Sequence, residues 1–178
     1  MNQVLEVIRN RKSVRKYSSR PVEKEKIIKM AQAARLSPSA SNKQPWRFVA
    51  VTDKDLVKKA VKQALGPMNS WAITAPCLIV GCSVRKDVIT HWIAEAISGV
   101  RYHILDLGIS MEHMVLQAEQ MGLSTCWIGW FNEKKLKKLL RIPPAWRIMS
   151  LISVGYRNGD YKPGAKKKLP LDKILIFR

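Results

Sequence analysis

Pro38-Ser39-Ala40-Ser41-Asn42-Lys43-Gln44-Pro45-Trp46 lies between a segment of helical apolar period and a segment of strand character. Prolines near both ends hinder helical continuation, while Ser39, Ser41, Asn42 and Gln44 supply hydroxyl and amide groups that both donate and accept hydrogen bonds. Such a set suits the edge of a flat heteroaromatic ring or a polyol. The same residue types also build ordinary connecting loops. The choice rests on what the rest of the chain places beside them.

Upstream, residues 2–10 carry Val4, Leu5, Val7 and Ile8 at helical spacing, with Asn2 as a candidate N-cap. Arg11-Lys12-Ser13-Val14-Arg15-Lys16-Tyr17 follows. If this segment is extended, alternation puts Arg11, Ser13 and Arg15 on one side, as a clamp for a phosphate or an electron-rich ring edge. A solvated basic turn is the alternative. Residues 23–35 form the next helix, with Glu23 and Glu25 suited to its N-terminus and Arg35 to its C-terminus.

Downstream, residues 46–51 read as a strand and Asp53 opens an amphipathic helix that stops at Gly66-Pro67. Residues 68–76, with Asn69, Ser70 and Trp71, read as a surface loop. The continuous apolar run at residues 77–82 predicts a strand buried on both faces. Helices are expected over 88–98 and 102–121, the second closed by Gly122. That second helix is apolar around much of its girth, which predicts burial on more than one side and a subunit interface. His113 on it reads as a hydrogen-bonded core or interface residue. A short strand at 124–129 leads to Asn132, a cap for helix 133–140. A strand over 147–154 closes at Gly155, and Ile174-Leu175-Ile176 predicts a last strand after a polar tail.

The chain has 178 residues and a formal net charge of +19, so one globular domain spanning residues 1–178 is expected. Residues 1–47 hold 12 Lys and Arg against 3 acids, residues 48–131 hold 7 against 7, and residues 132–178 hold 13 against 3. The excess is therefore terminal, and would attract nucleic acid, an anionic membrane or a phosphorylated small molecule. Aromatics are not interleaved with the cations, which argues against a nucleic-acid module. Apolar runs are too short for a transmembrane span, and residues 1–6 lack a signal-peptide layout, giving a cytoplasmic expectation.

Other chemistries fail on spacing. No GxGxxG follows a strand, and Ala165 stands where a phosphate-binding loop opened by Gly159 needs its lysine. Cys77, Cys82 and Cys126 make no CxxC pair, and His91, His103 and His113 form no HExxH, so no metal site is expected.

Four segments in order resemble the nitroreductase superfamily of FMN-dependent oxidoreductases. They are Arg11 to Arg15, Pro38 to Trp46, Gly122-Leu123-Ser124-Thr125-Cys126-Trp127-Ile128-Gly129, and Lys166-Lys167-Lys168-Leu169-Pro170-Leu171-Asp172. Ser37 replaces a usual alanine, and lysine stands at a usual arginine near the C-terminus. The resemblance implies an α+β domain with a central mixed sheet flanked by helices, in an intertwined homodimer with FMN at the interface. It implies that Arg11, Lys12, Ser13 and Arg15 hold the flavin pyrimidine edge and phosphate. Lys167 and Lys168 would pair with the phosphate. Pro38, Ser39, Ala40, Asn42 and Gln44 would reach the partner subunit's flavin, while Trp127, Ile128 and Gly129 would line the ring face and ribityl chain of the flavin. The implied activity is ping-pong transfer from NAD(P)H through FMN to a nitroaromatic, quinone or related small-molecule acceptor. No protein residue need act as nucleophile or acid/base, no specific nucleic acid or membrane is involved, and the chain between Ser83 and Gly99 is short for a substrate-covering insertion. A flavoprotein of the same fold performing dehalogenation or flavin cleavage is the alternative chemistry.

Overall fold

The computed structural model describes residues 3–84, 89–164 and 167–178. Asn2, Val88 and Lys166, which enter the expectations above, lie outside them. The framework is a four-stranded sheet: β1 (Trp46–Val51), β2 (Cys77–Val84), β3 (Ser124–Ile128) and β4 (Trp146–Gly155), in the order β1-β2-β4-β3. Every strand pair is antiparallel. The expected mixed character is confined to one parallel bridge, Ser13 to Thr125, which docks the N-terminal segment on β3.

Strand β2 explains the continuous apolar run. Cys77 and Ile79 face one helical layer and Leu78, Val80 and Cys82 the other, so both sides of a central antiparallel strand are covered. One layer holds α2 (Lys24–Arg35) and α5 (Tyr102–Gln120), packed through Met30, Ala34, Met111, Met114 and Val115. The other holds α3 (Lys54–Ala60) and α6 (Glu133–Leu140), packed through Val57, Ala60 and Leu136. Helices α1 (Gln3–Asn10) and α4 (Ile89–Ser98) lie outside this sandwich. A bulge sets Met149 between Ile148, opposite Cys82, and Ser150, opposite Gly81.

Caps are where composition placed them. Asp53 Oδ1 accepts from Leu56 N at 2.7 Å, and Asn132 Oδ1 from Lys135 N at 3.0 Å, each satisfying a free helix N–H. Gly122 closes α5 with φ +74°, a conformation that costs a glycine little.

Three elements differ from expectation. The helix begun at Lys54 widens into a π-turn at Val61–Leu65, placing Val61, Ala64 and Leu65 in the core. Residues 67–74 are a 3-10 helix rather than a loop, opened by Pro67 at its first position and burying Ala72. Residues 174–176 form no strand; a 3-10 turn occupies Leu171–Lys173, and Ile176 and Phe177 are 74% and 87% exposed. Within this chain they meet no sheet edge.

Candidate functional site

The basic clamp is set by backbone pairing. Val14 N donates to Thr125 O at 3.0 Å beside the Ser13–Thr125 bridge, while Ser18 N donates to Tyr156 O at 2.9 Å. Residues 13–18 thus run as an extended edge between the start of β3 and the end of β4. Val14 is buried beneath them, and Arg11, Lys12 and Ser13 are half-buried with Arg15 exposed. Tyr17 pins the segment from below: its hydroxyl lies 2.8 Å from Ser153 Oγ, which donates on to the Cys126 carbonyl at 3.3 Å. Burial drives the Tyr17 phenol far above its ordinary range, against the opposing bond to Ser153.

Charge gathers at this edge. Burial raises the Cys126 thiol, while Arg15, Ser13 and Arg11 pull the other way. Burial likewise raises Glu119 on α5, against Arg11, Arg157 and Lys12. Clamp cations therefore stand around the C-terminal end of α5. A 380 Å³ cavity bounded by Glu119, Ser124, Tyr156 and Arg157 opens beside them.

Strand β3 carries the clamp toward Trp127, Ile128 and Gly129. The Trp127 indole N–H donates to Glu112 Oε2 at 3.3 Å and Ile128 is buried in the core, so both side chains are engaged in packing. What they offer a ligand is main chain. At Gly129 an added Cβ would meet nothing within 4 Å, so that edge is open. Two neighbours come from the segment whose composition reads as a surface loop. Asn69 Nδ2 donates to Trp130 O at 2.8 Å, and the Arg15 guanidinium lies 5.8 Å from the Trp71 ring centroid. The 3-10 helix at 67–74 therefore forms a wall joining the clamp to the end of β3. A proline opening a short apolar run was the available signal.

The loop from Pro38 to Trp46 is held elsewhere. Asp106, buried on α5, accepts from Ala40 N with both carboxylate oxygens at 3.2 Å. Ser39 Oγ accepts from Gln44 N at 3.0 Å, and Gln44 Nε2 donates to Asn42 O and Oδ1 at 3.2 Å. Ser41, Asn42 and Gln44 all have φ near +50°, a left-handed conformation that L-residues adopt at a cost, so the loop is strained and its bonds hold it there. His113 is hydrogen-bonded as expected, 2.8 Å from Ser37 Oγ.

From Asp106 to Glu119 is thirteen helical residues, about 20 Å at 1.5 Å rise. The loop and the clamp of one chain thus stand near opposite ends of α5. Lys167 and Lys168 are exposed and form no hydrogen bond or ion pair with other described residues. The structure docks Arg11 to Arg15 on the strand that leads to Trp127, Ile128 and Gly129, and holds the loop near the other end of α5.

Comparison with known proteins identifies the frame. The profile described as "Nitroreductase family" matches residues 8–70 and 64–156. A putative NADH dehydrogenase/NAD(P)H nitroreductase of Archaeoglobus fulgidus is 31% identical over 165 residues, covering 90% of this chain and 88% of that one. An FMN reductase [NAD(P)H] of Bacillus subtilis is 26% identical, covering 98% and 73%. The crystal structure of a putative NADH dehydrogenase/NAD(P)H nitroreductase from Parabacteroides distasonis superposes with TM-score 0.79 at 30% identity, covering 99% and 98%. The chain belongs to the nitroreductase family. As such it is an oxidoreductase enzyme. Among the described residues no helix is long and apolar enough to cross a membrane, and no group of three His, Cys, Asp or Glu is placed to hold a metal.

Proposed function

We propose that the chain is an FMN-dependent NAD(P)H oxidoreductase, working as a homodimer on nitroaromatic, quinone or related acceptors in a ping-pong cycle. The observation that carries this reading is the Ser13–Thr125 bridge, which docks the segment holding Arg11, Lys12, Ser13 and Arg15 on β3, the strand that leads to the open position at Gly129. Three cations and a hydroxyl fit a phosphate and a pyrimidine edge, and the bare edge at Gly129 fits a flat ring. The named relatives include an FMN reductase, which supports the same cofactor here.

Bound FMN would supply two-electron transfer between NAD(P)H and the acceptor. The chain's part is binding and electrostatics. Arg11, Lys12 and Arg15 favour negative charge at the clamp; Tyr17 and Thr125 keep it from shifting. Main-chain groups of Trp127 to Gly129 offer the ring face its contacts.

The separation along α5 supports the dimer. A loop about 20 Å from its own clamp completes a site only by facing the clamp of another chain. Apolar side chains left in solvent supply the contact area: Val4 is 63% exposed on α1, and the tail from Leu169 to Phe177 is apolar and exposed. The same tail can carry Lys167 and Lys168 toward a phosphate.

The test is the purified protein. It should be yellow, release one flavin per chain on heating, sediment as a dimer, and oxidise NAD(P)H anaerobically with a nitro or quinone acceptor. A colourless protein that takes up no added FMN overturns the reading. Retained flavin without acceptor-dependent turnover points to the alternative flavin chemistry.

A further inference from the structure

A second cavity, of about 610 Å³, opens at the opposite end of the sheet, between the end of β2, the start of β4, the C-terminal part of α4 and the N-terminus of α5. Ser83 and Arg147 are a directly opposed cross-strand pair there, so their side chains leave the same face of the sheet. Along β4, Arg147 is seven residues from Val154, the partner of Thr125, so about 20 Å separates this cavity from the same chain's clamp.

Ser83 is 1% exposed and its hydroxyl has no hydrogen-bond partner, although it lines the cavity. It is the one such buried side-chain atom among the described residues. A buried hydroxyl is costly to leave unmade, and a ligand group in the cavity would complete it. Cationic character comes from the same walls. Arg101 precedes the first turn of a 19-residue helix and pairs with no acid among the described residues. The amide of His103 precedes the first intrahelical bonds of α5, which begin at Ile104 N and Leu105 N. The remaining polar lining groups make contacts of their own. Glu95 lies 3.4 Å from His103 Nδ1, and Arg147 Nε lies 3.1 Å from Glu133. Ile104, Ala145 and the bulged Met149 give an apolar wall, and bulges recur beside functional sites.

We propose that this cavity binds a small carboxylic acid bearing an apolar ring or chain. The carboxylate faces Arg101 and the His103 amide, a polar atom meets the Ser83 hydroxyl, and the apolar body lies against Ile104 and Met149. The site stands on this chain's own residues, with Ser83 opposite Trp46 at the end of the Pro38–Trp46 loop.

Benzoate is the probe, titrated calorimetrically into the protein as purified, at physiological salt to suppress non-specific charge binding. The expected result is saturable binding, one per chain, weakened tenfold or more by Arg101→Gln and severalfold by Ser83→Ala. Lys59→Gln, exposed on α3 and outside the cavity, leaves it unchanged, and benzyl alcohol binds at least tenfold more weakly than benzoate. Arg101 is exposed, so its variant tests the site without a burden on folding. Absence of saturable binding, binding that survives Arg101→Gln, or equal binding of benzyl alcohol overturns the proposal. An ordered water satisfying Ser83 would show as the first of these.

Discussion

Asn42 separates two roles that a single residue can combine. Its φ of +53° serves the turn, while its amide oxygen accepts from Gln44 and its amide nitrogen can reach outward. Asn42→Gly keeps the backbone conformation and removes only the amide; Asn42→Ala removes both. Under the proposed function both variants should lose FMN affinity about tenfold by fluorescence titration, with the alanine variant also less stable by about 1 kcal/mol in urea. Unchanged flavin affinity in the glycine variant would remove Asn42 from the site. Sequence showed the amides and prolines of this loop, because polar groups between two prolines are a local pattern. It did not show Asp106 beneath Ala40, a bond spanning 66 positions, or Tyr17 against Ser153, spanning 136.

Elements were legible where chemistry punctuates them. Strand β1 begins after Pro45, and α6 runs from its Asn132 cap to Arg141 in the left-handed conformation, so both spans matched residue for residue. Residues 67–74 lacked the period by which helices are recognised, and Ile174 to Ile176 had strand composition without a neighbour to pair with. Close packing between elements is likewise a matter of tertiary structure. A Cβ added at Gly155 would lie 2.6 Å from Pro76 Cδ and 2.9 Å from Tyr17 Cδ1, both on stiff rings. At Gly81 the obstacle is the flexible Met111 side chain. Gly155→Ala should therefore destabilise by roughly 3 kcal/mol and Gly81→Ala by roughly 1 kcal/mol in denaturant titrations; the reverse order would contradict this packing. The start of α2 is joined to the end of β4 through acid–phenol contacts. The Tyr156 hydroxyl donates to Glu23 at 2.7 Å, and Arg20 reaches the same carboxylate at 2.7 Å. Tyr156, Glu23's own backbone N–H and Arg20 together lower the Glu23 pKa from the ordinary 4.5 to about 2. A carboxylate depressed by folding stabilises fully above 4.5 and loses that contribution as pH falls toward 2. The urea midpoint should fall across this window, and Glu23→Gln should flatten the fall.

At the scale of the molecule, charge and apolar exposure divide the surface. Residues 169–178 are exposed throughout and contribute nothing to either core. Removing them should leave the sheet and its two helical layers intact by circular dichroism. Under the proposed function it should also shift sedimentation from dimer toward monomer by at least tenfold in Kd, and an unchanged dimer would count against that role for the tail. The family and fold class were readable from four short segments because their order along the chain is itself informative. That the loop and the clamp of one chain stand near opposite ends of α5 depended on tertiary contacts and was not.

The docking of residues 13–18 also orders events during synthesis. These residues leave the ribosome early, yet their backbone partners are Thr125, Tyr156 and Arg157, more than a hundred positions later. Closing so long a loop must await most of the chain. The nascent N-terminus therefore remains without its edge until β3 and β4 have emerged, and any flavin held by that edge is acquired late in biogenesis.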